Sequence, residues 1–444
     1  MDVNTLRTDI DTIVIVMLEN RSFDHLLGYL SHEQFGKRLE VDGLHEQSNT
    51  FDCGNPDSTG KTFYPQDVAD GWLSVDLPHG RDQVATQIRN GNMDGFVQAF
   101  SSENPNDQEQ VPPPMRFCRP GDIPVTAALA ANYCVCDKWF APLPADTQTN
   151  RNMATSGYTR IDTTDHIAPI THWIPDQSTI LDWLTQKGLP FELYVDAPFI
   201  AAVGRPSNFV LMQSQWKHLD DQHVFALDDL QSRWAAKSKG PAVVYCEPYY
   251  NDLAKQFGGQ GTCNHPPLPL VYGETFLKRV YDALTSNPDR WQRTVMILCY
   301  DEHGGFFDHV PPPALAYSKP NDAQWDEPAA FQTLGVRVPA IVVSPFSERG
   351  AVCKERLDHT SILQLIIERF GTPQDLGALG VSAQRKQGGI RSALTALTRT
   401  TPRNDRISLP TPTLPLVPPS PPTALSSNAK LFASAIQEKA KATV

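Results

Sequence analysis

The sequence predicts an α/β fold in which a mostly parallel sheet lies between two layers of helices. Residues 13–18 and 294–300 are almost uninterrupted apolar runs with many β-branched side chains, which is typical of strands covered on both faces. Strand-like and helix-like segments also alternate from about residue 12 to residue 371, as expected of strands joined by helical crossovers. The 444 residues allow one large domain with insertions or two domains.

The remaining elements follow from local patterns. Two further strands are predicted at residues 241–246 and 336–343. Pro339 lies inside the second of these, which indicates an edge strand or a strand that begins there. Helices are predicted at residues 276–284 and 361–370, where apolar side chains recur at helical spacing.

Composition divides the chain into a domain over residues 1–400 and a Pro-rich tail over 401–444. Residues 31–120 are expected to form a loop-rich insertion within the domain. Eight prolines between positions 402 and 422 favour an extended linker, and residues 429–440 have the pattern of a short amphipathic helix. The tail is interpreted as disordered or loosely docked, with a partner-binding arm as the alternative.

Charge and cysteine content limit the classes of function. A formal net charge of −12 argues against nucleic-acid binding. The first ten residues lack the basic region and cleavage site of a signal peptide, so the default expectation is a cytoplasmic protein; export by a non-classical route, or through a leader already removed, stays open. The eight cysteines include no Cys-x-x-Cys pair, and we expect reduced, buried thiols.

Acidic, amide and imidazole side chains follow both main strands directly. Glu19 and Asn20 come after the first, and Asp301, Glu302 and His303 come after the second. Because open α/β sheets carry their sites outside the carboxyl ends of the strands, we expect these groups to meet. Oxygen-rich clusters of this kind hold divalent cations. The alternative for either strand alone is an ordinary solvated turn.

A third polar segment, around residue 150, offers a nucleophile. Thr147 and Thr149 carry hydroxyl groups, which become nucleophilic when a base or a metal lowers their pKa. Asn150 and Arg151 could hold the oxygens of the group under attack, the arginine through its planar fork. Without further context, a threonine-rich turn is usually only a turn. Glu247 ends a predicted strand, and a helix cap or surface carboxylate is favoured over a further ligand.

Together these segments resemble the bacterial phospholipase C / AcpA-type acid phosphatase family of the alkaline phosphatase superfamily. The matching segments follow the family's order over about residues 12–371: Glu19–His25, Asp76–His79, Met93–Phe96, Thr147–Arg151, Asn264–Pro267, Tyr300–Pro313 and Asp358–Ser361. The resemblance implies an alkaline-phosphatase-like three-layer α/β/α sandwich. It also implies a phosphoric ester hydrolase that uses a phosphothreonine intermediate.

The resemblance implies roles for individual residues. One divalent ion (Zn, Ca, Mg, Mn or Fe) would be bound by Glu19, Asn20, Asp301, Glu302 and Thr147. Thr147 occupies the nucleophile position; Thr149 stands where the family has proline, and the spacing favours Thr147. The remaining implied site residues are His79, His265 and His359 as catalytic groups, and Asn150, Arg151 and His303 as substrate-binding groups.

The substrate class is the open question at this point. A phospholipase C acting on phosphatidylcholine-like lipids, in transient contact with a membrane surface, is favoured over an acid phosphatase acting on monoesters. Tryptophans in the loops could cage a quaternary ammonium group; they are Trp72, Trp173, Trp183 and Trp216. A catalytically silent relative that binds a partner through the metal site is a further alternative, but the complete set of catalytic residue types argues against it. The sequence does not predict an oligomeric state.

Overall fold

The computed structural model describes most of the chain. The described residues are 1–45, 53–67, 73, 75–105, 110–164, 177–197, 199–200, 205–206, 219, 221–236, 239–250, 261–380 and 382–413.

A central eight-stranded sheet organises the structure. Its strands in chain order are β1 (Thr12–Leu18), β2 (Cys134–Cys136), β3 (Phe191–Val195), β4 (Val224–Ala226), β5 (Val243–Glu247), β6 (Thr294–Tyr300), β7 (Ala340–Val343) and β8 (Val352–Cys353). The spatial order is β4-β3-β5-β1-β6-β7-β2-β8. Strand β7 is antiparallel to both neighbours, and every other pair is parallel. The predicted mostly parallel sheet is therefore confirmed.

The two apolar runs form the centre of this sheet. Strands β1 and β6 lie side by side, with Thr12 opposite Thr294 and Leu18 opposite Tyr300. Every residue of both strands is buried, as expected of a sheet covered on both faces. Because the two strands end in register, the residues that follow Leu18 and Tyr300 start at the same edge.

Helices cover both faces of the sheet. They are α1 (Val3–Asp9), α2 (Phe23–Leu27), α3 (Arg81–Ile88), α4 (Phe96–Glu103), α5 (Pro124–Asn132), α6 (Thr147–Ser156), α7 (Ile180–Gln186), α8 (Leu230–Ala236), α9 (Leu270–Thr285), α10 (Pro288–Trp291), α11 (Thr360–Phe370) and α12 (Ser382–Gln387). Helix α11 packs on α1 and α6, whereas α9 packs on α5 and α8. These two groups are the outer layers of an α/β/α sandwich.

The predicted elements agree with the structure to different degrees. The strand predicted at 241–246 is β5, and the predicted helices correspond to α9 and α11. The strand predicted at 336–343 was too long, because β7 starts only at Ala340. Pro339 marks its start and not an edge, since β7 lies between β6 and β2.

Shorter elements complete the fold. Two-stranded pairings join Asn55–Pro56 to Thr62–Phe63, Gln66–Asp67 to Arg116–Phe117, Phe199–Ile200 to Arg205–Pro206, and Ala314–Tyr317 to Phe331–Thr333. Turns of 3₁₀ helix occur at Gly28–Leu30, Arg89–Gly91, Pro113–Met115, Asp221–His223, Leu227–Asp229, Asp375–Ala378 and Ala393–Ala396. Residues 31–120 include α3 and α4.

The remaining findings concern the cysteines, the tail and the lengths of the helices. All eight cysteines are free and buried, as predicted. The predicted helix at 429–440 lies outside the described residues. Within the described ranges, no helix has the length and apolar content needed to cross a bilayer.

Candidate active site

Asn20 connects the segments that form the site. It follows β1 in the left-handed region, with φ of 60°, which asparagine tolerates better than most residues. Its backbone N–H donates to Asp301 Oδ1 at 3.0 Å. Its side-chain Oδ1 accepts from the Thr147 hydroxyl at 3.4 Å, and its Nδ2 lies 3.1 Å from His79 Nε2. The sheet edge thus gathers residues from four distant parts of the sequence.

Asp301 and Glu302 follow β6 and are fully buried. Asp301 Oδ1 also accepts the Glu302 amide at 2.8 Å. Glu302 Oε2 accepts the Gly304 amide at 2.7 Å, whereas its Oε1 has no hydrogen bond with any described residue. Gly304 is required here because φ is +63° and a Cβ would lie 2.2 Å from the Asn20 carbonyl oxygen.

The pKa values of these two carboxyl groups move in opposite directions. Burial raises the pKa of Asp301, although Arg151 acts against that rise. Burial also opposes the charge on Glu302, but the nearby His79 and His303 outweigh it and lower the pKa of Glu302. Glu302 is therefore the more readily ionised of the pair.

Thr147 is the first residue of α6. This helix is buried along its whole length and is followed by Gly157, whose φ of 73° ends it. The Thr147 hydroxyl faces Asn20, but the Thr149 hydroxyl donates to Asp146 Oδ1 at 3.1 Å, away from Asn20. The N-terminus of an α-helix carries partial positive charge, which favours an anion beside Thr147.

Arg151 lies among carboxylates. Its Nε donates to Asp301 Oδ2 at 3.1 Å, and its terminal nitrogens lie 3.6 Å from Glu19 and from Glu247. Burial works against its charge, but Tyr250 and these carboxylates raise the pKa of Arg151 well above its usual value. The favoured interpretation of Glu247 as a cap or surface carboxylate was wrong, because it is buried beside Arg151.

Two of the predicted histidines lie together. The rings of His79 and His265 have centroids 5.9 Å apart. His79 Nδ1 lies 2.6 Å from the Leu77 carbonyl oxygen, so Nδ1 donates and Nε2 is the atom that can take up a proton. Burial lowers the pKa of His79, but Glu302 and Asp76 outweigh that effect and the pKa is raised.

The side chains of His359 and Asn150 are fully engaged in hydrogen bonds with other protein groups. His359 Nε2 donates to the Asp301 carbonyl oxygen at 2.7 Å while Nδ1 accepts from Trp139 Nε1 at 3.1 Å. Burial lowers the pKa of His359 to about 4. Asn150 accepts the Leu143 amide and donates to the carbonyl groups of residues 145 and 146. Asn150 therefore fixes the segment before Thr147, and His359 fixes the backbone that follows β6.

His303 is linked to a residue that the sequence reasoning missed. Its Nε2 lies 2.7 Å from Gln87 Oε1, and its Nδ1 lies 3.2 Å from Glu302 Oε2. Gln87 Nε2 in turn donates to the Pro78 carbonyl oxygen at 2.7 Å, directly before His79. Gln87 lies on α3, whose sequence pattern gives no sign of a buried amide.

A divalent cation fits the chemistry of this site. Three carboxylates surround the single guanidinium of Arg151, so negative charge is in excess. The buried Glu302 Oε1 has no hydrogen-bond partner among the described residues. Carboxylate, amide and hydroxyl oxygens are ligands of hard divalent cations. The donors available are those predicted, namely Glu19, Asn20, Thr147, Asp301 and Glu302.

A second group of acidic side chains comes from residues farther along the two segments that follow β1 and β6. Asp24, Asp308 and His309 each place one potential ligand atom within 4.8 Å of the other two. They are the set of three His, Cys, Asp or Glu residues found this close together among the described residues. Glu19, Asp301 and Glu302 do not approach one another that closely. Arg337 already neutralises the second group, donating to Asp308 Oδ1 at 2.9 Å and to Asp24 Oδ1 at 3.1 Å.

Comparison with known proteins identifies the family. Residues 10–373 match the model of the Phosphoesterase family. The chain belongs to the Phosphoesterase family. As a member of this family it is a phosphoric ester hydrolase, as the sequence motifs predicted.

The curated relatives of this phosphoesterase include plant and bacterial proteins. Non-specific phospholipase C1 of Arabidopsis thaliana is 32% identical over 380 residues, which cover 81% of this chain and 67% of the relative. Phospholipase C B of Mycobacterium tuberculosis is 29% identical over 398 residues, covering 82% and 74%. Non-hemolytic phospholipase C of Burkholderia pseudomallei is 28% identical over 432 residues, covering 87% and 59%.

Solved structures resemble the phosphoesterase more distantly. A protein of the alkaline phosphatase superfamily from Vibrio parahaemolyticus has a TM-score of 0.33 at 11% identity, covering 56% of this chain and 60% of its own. A sulfatase from Pseudoalteromonas sp. has a TM-score of 0.34 at 10% identity, covering 63% and 68%.

The predicted aromatic cage falls mainly outside the described residues. Trp72, Trp173 and Trp216 are not described. Trp183 is buried on α7, where its Nε1 donates to Asp375 Oδ1 at 3.2 Å. Trp183 is therefore a packing residue of the helical layer.

Proposed function

We propose that this phosphoesterase is a metal-dependent phospholipase C that acts through a phosphothreonine at Thr147. The observation that carries the proposal is the contact between the Thr147 hydroxyl and Asn20 Oδ1 at the start of α6. It directs this hydroxyl to the sheet edge where Asp301 and Glu302 lie, whereas Thr149 is engaged by Asp146.

The cation would be held by the oxygen donors at this edge: Glu19, Asn20, Thr147, Asp301 and Glu302. When bound, a divalent cation lowers the pKa of a hydroxyl and neutralises charge on phosphoryl oxygens. Arg151 holds Glu19 and Asp301 in place by ion pairs and does not face the substrate in this proposal.

The chain's own residues supply the nucleophile and the proton transfers. Thr147 loses its hydroxyl proton to solvent, its Oγ1 attacks phosphorus, and the bond from phosphorus to the leaving oxygen breaks in line with it. His79 or His265 gives the leaving oxygen a proton; for His79 the proton would come from Nε2, because Nδ1 is engaged by the Leu77 carbonyl oxygen. A water oxygen then attacks phosphorus while an imidazole takes up a proton of the water. The bond from phosphorus to Thr147 Oγ1 breaks, and this oxygen regains its proton from solvent.

The other predicted site residues act as positioning residues in this proposal. His359 has both ring nitrogens engaged and fixes the Asp301 carbonyl. His303 and Asn150 are held by Gln87 and by residues 143–146 in the same way. Their contacts support roles in shaping the site, in place of the catalytic and substrate-binding roles expected from the resemblance.

The names of the relatives favour a lipid diester over a monoester. The relatives described above are phospholipases C that are 28–32% identical over most of this chain. A phospholipase C cleaves the bond between phosphate and diacylglycerol, so the chain would work in transient contact with a lipid surface.

The test offers two substrates in one reaction. Phosphatidylcholine vesicles and a simple phosphomonoester are followed together by ³¹P NMR, with and without a chelator and with several divalent metals. Growth of phosphocholine that stops on chelation is the expected result. Inorganic phosphate from the monoester alone would assign an acid phosphatase, and no product with any metal would favour the catalytically silent binding protein.

A further inference from the structure

Arg21 is a buried cation at the edge of the active site. It follows Asn20 directly and is fully buried. Its backbone amide donates to the Glu302 carbonyl oxygen at 3.0 Å. No role in the proposed reaction accounts for this side chain, although its backbone is tied to a predicted metal ligand.

The side-chain partners of Arg21 are neutral. Nε donates to the Asn264 carbonyl oxygen at 2.8 Å, and Nη2 lies 3.5 Å from the Leu268 carbonyl oxygen. The guanidinium carbon lies 4.8 Å from the centre of the Phe306 ring. Unlike Arg151, Arg21 has no ion pair with a described carboxylate, and its Nη1 has no described hydrogen-bond partner.

Burying a charge without a carboxylate partner costs free energy of folding. The role of this side chain is therefore expected to lie in the geometry that it imposes on the groups it contacts. Burial lowers the pKa of Arg21 to about 10, and the group therefore stays charged at neutral pH. The rigid fork of an arginine can reach two acceptors at once, which lysine cannot do in the same way.

The two acceptors flank His265. Asn264 precedes this histidine and has φ of 70°, and its Nδ2 donates to the hydroxyl of Tyr300 at 2.8 Å. Leu268 follows, and its amide donates to the His265 carbonyl oxygen at 2.8 Å. Arg21 thus fastens both ends of the turn 264–268 to the edge where β1 and β6 end.

We propose that Arg21 is a positioning residue for His265: it holds the turn in which the Pro266 carbonyl oxygen contacts His265 Nδ1 at 2.5 Å, and so keeps the imidazole beside His79 and the phosphoryl group. The inference rests on the proposed hydrolytic function. It assigns to Arg21 a role exerted through the 264–268 turn and not through contact with the substrate.

The test is a double-mutant cycle on turnover of a short-chain phosphatidylcholine. Arg21→Lys keeps the charge but loses the fork, and we expect kcat to fall by about tenfold or more, because small displacements of a reacting group have effects of this size. His265→Asn should lower kcat further. Arg21→Lys should then cause no additional loss in the His265→Asn background, since the positioned group is gone.

Arg290 provides a matched control. It is also buried, donates to a backbone carbonyl (that of Trp234, at 2.6 Å), stacks on an aromatic ring and has its pKa lowered to about 10. It lies on α10, at the amino end of β6 and away from the site. Arg290→Lys should therefore destabilise the protein to a similar extent, measured by thermal unfolding, and leave kcat within about twofold per folded molecule.

The outcomes separate this inference from the function on which it rests. Independent losses, in which the double variant shows the product of the two single effects, would overturn the positioning role while wild-type turnover upholds the function. An equal loss of kcat in Arg290→Lys would also overturn it, because a general effect of buried arginines would then suffice. A wild-type chain without turnover would overturn both.

Discussion

The imidazole of His309 should make the free energy of unfolding depend on pH, and the substitution His309→Gln should remove this dependence. Its Nδ1 lies 2.7 Å from Asp24 and its Nε2 lies 3.2 Å from Asp42. Burial opposes the charge on the ring, but the two carboxylates outweigh it and raise the pKa of His309 to about 10. A group with a raised pKa in the folded state stabilises the protein fully below its unfolded pKa, and this stabilisation is lost as the pH rises towards 10.

The size of the effect follows from the same numbers. The rise in pKa from 6.5 to about 10 corresponds to at most about 5 kcal/mol, at about 1.4 kcal/mol per pH unit. The side chain is 19% exposed, and Asp24 is shared with Arg337. Solvent screening and this sharing reduce the expected contribution to about 2 kcal/mol.

The assay is urea unfolding of the wild type and of His309→Gln at several pH values between 6.5 and 9.5. The difference in free energy of unfolding should shrink by about 2 kcal/mol over this range. Taking the difference removes the contribution of other groups that titrate in the same interval, such as His79. A difference that stays constant with pH would refute the reasoning, because His309 would then carry no additional proton in the folded state.

Three further predictions concern the site. Thr147→Ala should lower kcat by at least about a thousandfold and Thr149→Ala by less than about tenfold; similar losses in steady-state assays would contradict the choice of nucleophile. Glu302→Gln should weaken divalent-metal binding by about tenfold or more in calorimetry, since the buried Oε1 accepts no hydrogen bond from a described residue and has only His79 Nε2 at 3.9 Å as an ion-pair partner; unchanged affinity would exclude this ligand. His359→Gln should lower kcat without changing the shape of the pH–rate profile, because the pKa of His359 is about 4; a lost ionisation near neutral pH would contradict a positioning role.

The sequence predicted best those features that depend on long apolar runs. Strands β1 and β6 were predicted within one residue, because a buried strand in a parallel sheet carries its pattern in every position. Strands β3, β4 and β8 were not predicted, and two of them have only two or three residues. Residues 336–338 were predicted to belong to a strand because they include two valines, which favour strands. In the structure β7 begins only after Pro339.

The site was predictable where its residues follow directly from strands. Asn20 and Asp301 meet because β1 and β6 end in register. The contacts of Gln87, Trp139 and Tyr250 depend on how helices and loops pack over that edge, and no local pattern carries this information. For the same reason the burial of Glu247 beside Arg151 was missed.

The contacts of Asn20 set the point during folding at which a competent site can exist. This one residue contacts His79, Thr147 and Asp301, which lie 59, 127 and 281 positions later in the chain. A chain emerging during synthesis therefore cannot complete the site until three quarters of a long domain has been made and β6 has paired with β1. Contacts across such separations form slowly, because the loop entropy is lost before the contacts compensate for it. A fragment of the chain that ends before β6 would retain Asn20 and Thr147 but lack Asp301 and Glu302, and we expect it to have no hydrolytic activity.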